Sequence, residues 1–506
     1  MNQPAVPTTP IRLLLNGEAV TVEGIAPQVT LLQYLREYRN LTGTKEGCAE
    51  GDCGACAVVL ASRKASAELE FRTVNSCIRL LPTIDGMAVF TVEVLSGTNG
   101  ALHPVQQALV DTHGSQCGFC TPGFVMSLFA LYKNTYRPAR TSIEEAISGN
   151  LCRCTGYRPI ISAAERMYDL PPAAGWRAPG IEANGSRCGI PEEAGISLTL
   201  KQMARTSSFS YAVAGQRYFA PTSLKELTRL CESIEHATLI AGATDVALRV
   251  TKEHRDLGPI IYVGAVPELA TIVQGAGIVD IGAAVSITDA IAALDEDWPE
   301  LHETWVRFAS PPVRNSATLG GNVMNASPIG DSIPALLALG ASLRLESVLG
   351  AREVALEAFY LGYRTTLRKQ NEVLSTIRIP KRLPGTIIRG YKVSKRTDQD
   401  ISSAYVCFRL DLSERKIIAA RIGVGGLAAI PTRAYMTEAA LVGSEWSEGT
   451  ACSAAEILRN EFSPIADMRA SAGYRREIVG ALLQRFWLET RIEGAPTMTR
   501  VSSVRP

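Results

Sequence analysis

The chain has 506 residues, 46% hydrophobic and 20% charged, enough for about three or four domains with ordinary cores. Its 51 Lys and Arg balance 50 Asp and Glu, which argues against a nucleic-acid or polyanion surface as the main function. The N-terminus has no basic stretch leading into an apolar one, and the most apolar later run, "IPALLALGASLRL" from Ile333, is too short for a membrane span and carries Arg344. A cytoplasmic protein without a membrane anchor is expected.

In chain order, "IRLLLNGEAVTVE" reads as two strands joined by a hairpin turn at Asn16-Gly17. "TLLQYLREY" reads as a helix capped by Thr30, with an apolar face at Leu31, Leu35 and Tyr38. "CAVVLAS" and "AVFTVEVL" are further strands. A helical region follows: "HPVQQALVDTHG", then "TPGFVMSLFALYKN" with Thr121 as N-cap, Pro122 at N1 and Phe124, Val125, Leu128, Phe129 and Tyr132 on one side. In "SIEEAISGN", Ser142 and Glu145 suit a capping box and Gly149 a helix stop. Residues 171–206 are rich in Pro, Gly and Ala and read as a linker. An α+β region then runs to about residue 385, followed by antiparallel strands and two helices. The boundaries expected are 1–95, 96–170, the linker 171–206, 207–385 and 386–506.

Twelve cysteines are present, and eight lie within the first 154 residues. Cys188, Cys231, Cys407 and Cys452 are scattered and read as ordinary thiols. "GCAEGDCGACAVVL" places Cys48, Cys53 and Cys56 in C-x4-C-x2-C order, with Cys77 downstream. This is the spacing of plant-type [2Fe–2S] ferredoxins. Gly47, Gly51 and Gly54 let the loop fold tightly and aim amides at the sulfurs. Four-cysteine zinc and disulfide readings fit this spacing less well. The second group is C-x2-C at Cys117 and Cys120, 31 residues, then C-x-C at Cys152 and Cys154. A helical hairpin brings both pairs to one point, two thiolates per iron; taken alone, zinc and a redox dithiol stay open. Two clusters in series make an electron wire, which needs a donor and an acceptor.

"GCAEGDCGAC", "QCGFCTPG" and "NLCRCTGYRPI" together resemble the molybdenum hydroxylase family, the xanthine dehydrogenase and aldehyde oxidase group, over residues 11–168. The resemblance implies a β-grasp ferredoxin-like [2Fe–2S] domain at 1–95 and a four-helix [2Fe–2S] domain at 96–170. It also implies that Gln116 and Cys154 reach the pterin of a molybdenum cofactor.

"LIAGATDVAL" reads as a strand running into a turn and a helix start, where Gly242, Ala243, Thr244 and Asp245 offer N–H groups and a hydroxyl to a pyrophosphate; an ordinary turn is the alternative. In "NSATLGGNVMNASPIGD", Gly320 and Gly321 permit close approach of a ligand and Asp331 can accept from sugar-type hydroxyls. The two stretches, with "SPIADMRASAGYRR", resemble the family's flavoprotein part. The fold implied is an α+β FAD-binding domain followed by a C-terminal α+β domain with an antiparallel sheet. The flavin contacts implied are Leu239, Ile240, Ala241, Gly242, Ala243, Thr244, Asp245, Val246, Phe308, Thr318, Asp331, Leu374 and Lys392. "GVGGLAAIP" from Gly423 fits the dinucleotide fingerprint G-x-G-x-x-A, but Pro431 follows too closely for a helix, so a tight strand turn is expected.

The family order implies electron flow from a molybdenum site through both clusters to FAD and on to NAD⁺. Without large molybdenum domains in 506 residues, that site is expected on a large partner subunit, in a heterotetramer of two small and two large chains. Fusion of the iron–sulfur and flavin parts in this order resembles two-subunit xanthine dehydrogenases, implying oxidation of hypoxanthine and xanthine to urate. Aldehyde, N-heterocycle and carbon monoxide hydroxylases, and a zinc-containing scaffold, are the competing readings.

Overall fold

The structure is a computed structural model and describes residues 8–64, 66–97, 100–173, 190–491, 497 and 499. The chain divides into two compact units, Met1–Val266 with Ser310–Ala317, and Pro267–Ala309 with Thr318–Pro506.

The first unit opens with strands β1 (Ile11–Leu15) and β2 (Glu18–Val22). Asn16 and Gly17 have φ of 52° and 90°, the left-handed pair that a tight hairpin of this twist requires. Thr30 and Gln33 form a reciprocal capping box on the short helix α1 (Leu31–Gln33). The next turn, Tyr34–Tyr38, is π-helical, with Arg39 N–H donating to Tyr34 O at 3.1 Å. The wider turn changes the side-chain phase. Leu31 and Leu35 are buried as expected, but Tyr38 faces out, 52% exposed, and Tyr34 is buried in its place.

Strands β3 (Ala57–Arg63), β4 (Leu69–Asn75) and β5 (Ala88–Phe90) complete a sheet of order β2-β1-β5-β3-β4. β1 and β5 run parallel and the other pairs antiparallel. The expected strand "AVFTVEVL" stops at Phe90, and Val92–Val94 is a 3₁₀ turn. Successive residues of a strand face opposite sides, and both sides of this sheet are covered. Leu13, Val58 and Leu60 join one buried cluster; Leu14, Val59, Phe71 and Phe90 join another with the helical region.

That region is four helices, α2 (Pro104–Asp111), α3 (Thr121–Asn134), α4 (Arg140–Ile147) and α5 (Arg158–Arg166). Two expected caps are corrected. Cys120, not Thr121, is the N-cap of α3, and Thr121 is its first helical residue. Ala139 is the N-cap of α4, which puts Ser142 inside the helix. Gly149 does follow α4, but the reason for glycine there is space rather than a left-handed cap. A Cβ on it would lie 2.6 Å from Pro312 Cδ.

Part of the expected linker is ordered. Helix α6 (Pro191–Met203) starts with proline in its first turn, and Leu200 is buried in the helical region's core. Glu193 on α6 pairs at 2.7 Å with Lys133 of α3, whose side chain is fully buried. Residues 174–189, with Cys188, lie outside the described residues.

Strands β6 (Phe209–Val213), β7 (Gln216–Ala220), β8 (Thr238–Ile240) and β9 (Ile260–Tyr262), with helices α7 (Leu224–Ser233) and α8 (Ala247–Thr251), end this unit. The order is β6-β7-β9-β8, with β9 parallel to both neighbours. The break at Val266 therefore falls inside the expected domain 207–385. The physical reason is a shared core: Phe209, Tyr211, Tyr218, Ile240 and Ile260 pack in the same buried cluster as Ile11, Leu13 and Leu31.

The second unit holds two larger antiparallel sheets and a two-stranded one, Tyr360–Gly362 with Thr365–Thr366. One of the larger two has the spatial order Ile272–Gln274, Ile278–Gly282, Val373–Pro380, Ser342–Ser347, Gly350–Ala355. The other joins Thr386–Val393, Ala404–Ser413, Lys416–Gly425 and Thr432–Arg433. Helices Glu448–Glu461 and Ala472–Thr490 close the second sheet's core, where Phe408 stacks on Phe486 at 5.3 Å. The G-x-G-x-x-A stretch ends a strand, as expected. Gly423 is needed for packing, since a Cβ there would lie 1.9 Å from Pro334 O.

Candidate cofactor sites

Cys48, Cys53 and Cys56 lie on the loop before β3, and Cys77 on the turn after β4. Antiparallel pairing of β3 with β4, Ala57 opposite Asn75, holds these two segments together. Gly51 and Gly54 have φ of 83° and 70° and let the loop curl. A Cβ on Gly47 would sit 2.8 Å from Cys53 Sγ, so glycine keeps the space beside that sulfur open. Cys56 Sγ lies 3.2 Å from Cys77 Sγ, and Cys48 contacts both Cys53 and Cys77. The sulfurs thus form a string, Cys53, Cys48, Cys77, Cys56. Backbone N–H groups of Asp52 and Cys53 donate to Cys48 Sγ at 3.4 and 3.3 Å. Donors from Cys53 and Cys77 hold the Cys48 thiol below its ordinary range, and the same contacts push Cys53 and Cys77 up. Asn75, 1% exposed, ties the loop down by donating to Gly51 O at 2.6 Å.

The second group joins the turn before α3 to the loop after α4. The contacts cross between the two motifs, Cys120 with Cys152 and Cys117 with Cys154. Cys117 and Cys154 are exposed, Cys120 is half-buried and Cys152 buried. Gln116 is exposed beside them, as are Phe119 and Leu151. Burial, with Cys152 and Cys117 adding to it, pushes the Cys120 thiol up to about 12. Burial also opposes ionisation of Cys152, but the hydroxyl and amide of Thr155, the Cys154 amide and the Cys120 thiol outweigh it and hold that thiol below its ordinary value. Thr155 Oγ1 stands 3.2 Å from Cys152 Sγ.

Among the described residues, no group of three or more His, Cys, Asp or Glu side chains is arranged to hold a single metal ion. Two sets of four thiols strung in touching pairs, with amide donors aimed at sulfur, suit a binuclear [2Fe–2S] group instead, two thiolates to each iron.

The expected flavin contacts divide between the units. Leu239–Val246 belongs to the first: Leu239 and Ile240 end β8, and Ala241–Val246 form the turn between β8 and α8. Gly242 is pressed against the chain at Ser316, where a Cβ would meet the carbonyl at 1.8 Å, and Ala243 is held at φ 57°. Among the described residues, the N–H groups of Gly242 to Val246 donate to no protein acceptor. Consecutive free donors in a turn of this kind fit the pyrophosphate of a dinucleotide.

Phe308, Thr318, Asp331, Leu374 and Lys392 belong to the second unit. Lys392 and Asp331 meet at 2.7 Å, and Lys392 Nζ also donates to Arg307 O at 2.8 Å, next to Phe308. Thr318 caps the helix Leu319–Asn325 by accepting from Gly321 N–H at 2.9 Å, which leaves its proton free to donate. Leu374 is buried on strand Val373–Pro380. Its neighbour Ser375 accepts from Ala283 N–H at 3.0 Å, and Gly320 rests against Ala283, where a Cβ would lie 2.4 Å from the carbonyl.

Sequence reasoning missed Asn75, Asn150, Arg307 and Ser402. Ser402 donates to Asp331 at 2.5 Å, and Arg307 donates to Lys392 O at 2.9 Å. Asn150 stands directly before "LCRC", which is a usable signal; Ser402 has no local one.

Four families match the chain in succession: a 2Fe-2S iron-sulfur cluster binding domain over 13–81, a [2Fe-2S] binding domain over 91–165, an FAD binding domain in molybdopterin dehydrogenase over 209–382, and a CO dehydrogenase flavoprotein C-terminal domain over 389–490. Xanthine dehydrogenase of Drosophila pseudoobscura pseudoobscura is 33% identical over 95% of this chain and 39% of its own length. That of Emericella nidulans is 31% identical over 94% of this chain and 38% of its own. The chain thus spans about two-fifths of the curated relatives it matches. Among solved structures, carbon monoxide dehydrogenase from Hydrogenophaga pseudoflava is similar at 29% identity and a TM-score of 0.51, covering 53% of this chain and 94% of that one. Among the described residues no helix is long and apolar enough to cross a membrane.

Proposed function

Because the chain belongs to the molybdenum hydroxylase family as an iron–sulfur/FAD protein with two [2Fe–2S] clusters and FAD, we propose that it is the electron-transfer subunit of a xanthine dehydrogenase. In this reading the complex oxidises hypoxanthine and xanthine to urate at a molybdenum cofactor on a large partner subunit, and NAD⁺ takes the electrons. When bound, the clusters carry single electrons, and the flavin collects them and delivers a hydride.

This chain's residues divide the work. Cys48, Cys53, Cys56 and Cys77 hold one cluster, and the loop amides on Cys48 offset its thiolate charge. Cys117, Cys120, Cys152 and Cys154 hold the other. The exposed pair, Cys117 and Cys154, faces the partner together with Gln116, and the inner pair faces the protein. Within the first unit, the free N–H groups of Gly242 to Val246 take the flavin's pyrophosphate.

The observation that carries the reading is the exposed Cys117–Cys154 edge of a four-thiol site, a short path from another protein to a buried one. The matched carbon monoxide dehydrogenase chain is covered to 94%, so in that enzyme the matched portion is a polypeptide of its own. This supports a partner subunit here, in a cytoplasmic heterotetramer of two small and two large chains. The same likeness favours a second reading, the equivalent module of a hydroxylase acting on carbon monoxide, an aldehyde or an N-heterocycle. The test is anaerobic reduction of the co-expressed complex. Xanthine should bleach the flavin and NAD⁺ restore it; bleaching by one of the other substrates, and not by xanthine, sinks the purine assignment.

A further inference from the structure

We infer that Asn150 is a positioning residue that sets the gap between the two cysteine loops, and with it the rate of electron transfer across that gap. The inference rests on the reading that both loops hold [2Fe–2S] clusters.

Asn150 is 2% exposed and makes contacts in three directions. Its Nδ2 donates to Gly54 O at 3.1 Å, in the loop of Cys53 and Cys56. Its Oδ1 accepts from Ser127 Oγ at 2.6 Å, on α3 behind Cys120. Its backbone N–H donates to Ile147 O at 2.9 Å, at the end of α4. The carbonyl of Gly54 can only accept, so the amide's orientation is determined: nitrogen toward Gly54, oxygen toward the serine. The next residue repeats the link, Leu151 N–H donating to Cys53 O at 3.0 Å. Two successive residues of one loop thus donate to two successive carbonyls of the other.

Glycines make this approach possible. A Cβ on Gly54 would lie 2.1 Å from Gly149 O, and one on Gly123 would lie 2.3 Å from Gly54 O. The Gly54 turn therefore sits in a slot between the first turn of α3 and the loop segment Gly149–Leu151. Cys53 precedes Gly54 by one residue and Cys152 follows Asn150 by two. Moving the clamp moves these sulfurs relative to each other, and single-electron transfer falls steeply with separation.

A purely structural role would affect cluster loading; a positioning role leaves the clusters loaded and changes what passes between them. The full-length chain is compared with Asn150→Asp, which keeps the shape but replaces the donor with an oxygen facing Gly54 O, and with Ser127→Ala, which frees the amide to turn. The readouts are iron and acid-labile sulfide content, the electron paramagnetic resonance spectrum of each reduced cluster, and the magnetic splitting between the two. The expected result is unchanged iron content and line shapes in both variants, loss of the splitting in Asn150→Asp, and slower oxidation of the helical-domain cluster by the flavin. Loaded variants with the parental splitting and rate overturn the inference, as does loss of iron from both. If the unaltered protein shows no pair of [2Fe–2S] signals, the cluster reading has failed instead, and the inference falls with it.

Discussion

Lys392 donates to Asp331 at 2.7 Å with only 1% of the lysine side chain exposed and 11% of the aspartate's. The two residues stand 61 positions apart, one on a strand and one on the turn before helix Ile333–Leu339. Ser402 Oγ completes the carboxylate's partners at 2.5 Å. Removing one member of such a pair leaves an uncompensated buried charge.

Lys392→Met should therefore destabilise the protein by about 3–5 kcal/mol, read by denaturant unfolding. Pairing it with Asp331→Leu should recover much of the loss. A single variant as stable as the parent would show that the pair contributes little. FAD retained per chain after gel filtration should fall in both variants if these groups contact the flavin.

Thr155→Val should lower the reduction potential of the helical-domain cluster. Thr155 Oγ1 accepts from Tyr157 N–H at 3.2 Å, which leaves its proton for Cys152 Sγ at 3.2 Å. A donor to a cluster sulfur favours the more negative, reduced form. Its loss shifts the potential down by tens of millivolts, where about 59 mV is a tenfold change for one electron. Thr155→Ser should restore the parental value in a redox titration; a Val variant that titrates with the parent removes the hydroxyl from the argument.

Cys154→Ser tests the direction of flow. The exposed sulfur touches Cys117, so the change should damage only the helical-domain site. On the proposed xanthine dehydrogenase reading, xanthine turnover by the complex should be lost while NADH still reduces the flavin. Full xanthine turnover in this variant contradicts the wiring.

Asp467 should carry part of the acid stability of the second unit. Burial raises its carboxyl, but N–H donors from Arg469 and Ala470 and the Arg475 guanidinium outweigh burial and hold it down to about 2. A depressed carboxylate adds stability that is complete above its unfolded value, about 3.9, and is lost as pH falls through the folded one. The window is thus about pH 4 to 2. Asp467→Asn should flatten the acid-unfolding curve across that window and leave its shape above pH 5 unchanged.

Local chemistry was legible in the sequence by itself. The hairpin at Asn16-Gly17 follows from two residues that tolerate left-handed backbone, and the cysteine spacings follow from loops that must wrap a small group. Buried faces such as Phe124, Leu128 and Phe129 of α3 follow from helical period. What needed the tertiary structure was everything set by distant partners. Proline and glycine hid α6, because its order comes from Lys133 and a core 60 residues away. Tyr34 and Tyr38 exchanged places because one turn widened. The chain pattern pairs Cys117 with Cys120 and Cys152 with Cys154, yet the contacts run Cys120 to Cys152 and Cys117 to Cys154, since two helices meet side by side. Asn150 gains its role only when the Gly54 turn, 96 residues earlier, slides into its slot. Spacing along a chain determines which groups can share a ligand; packing decides which of them face each other, and across what gap.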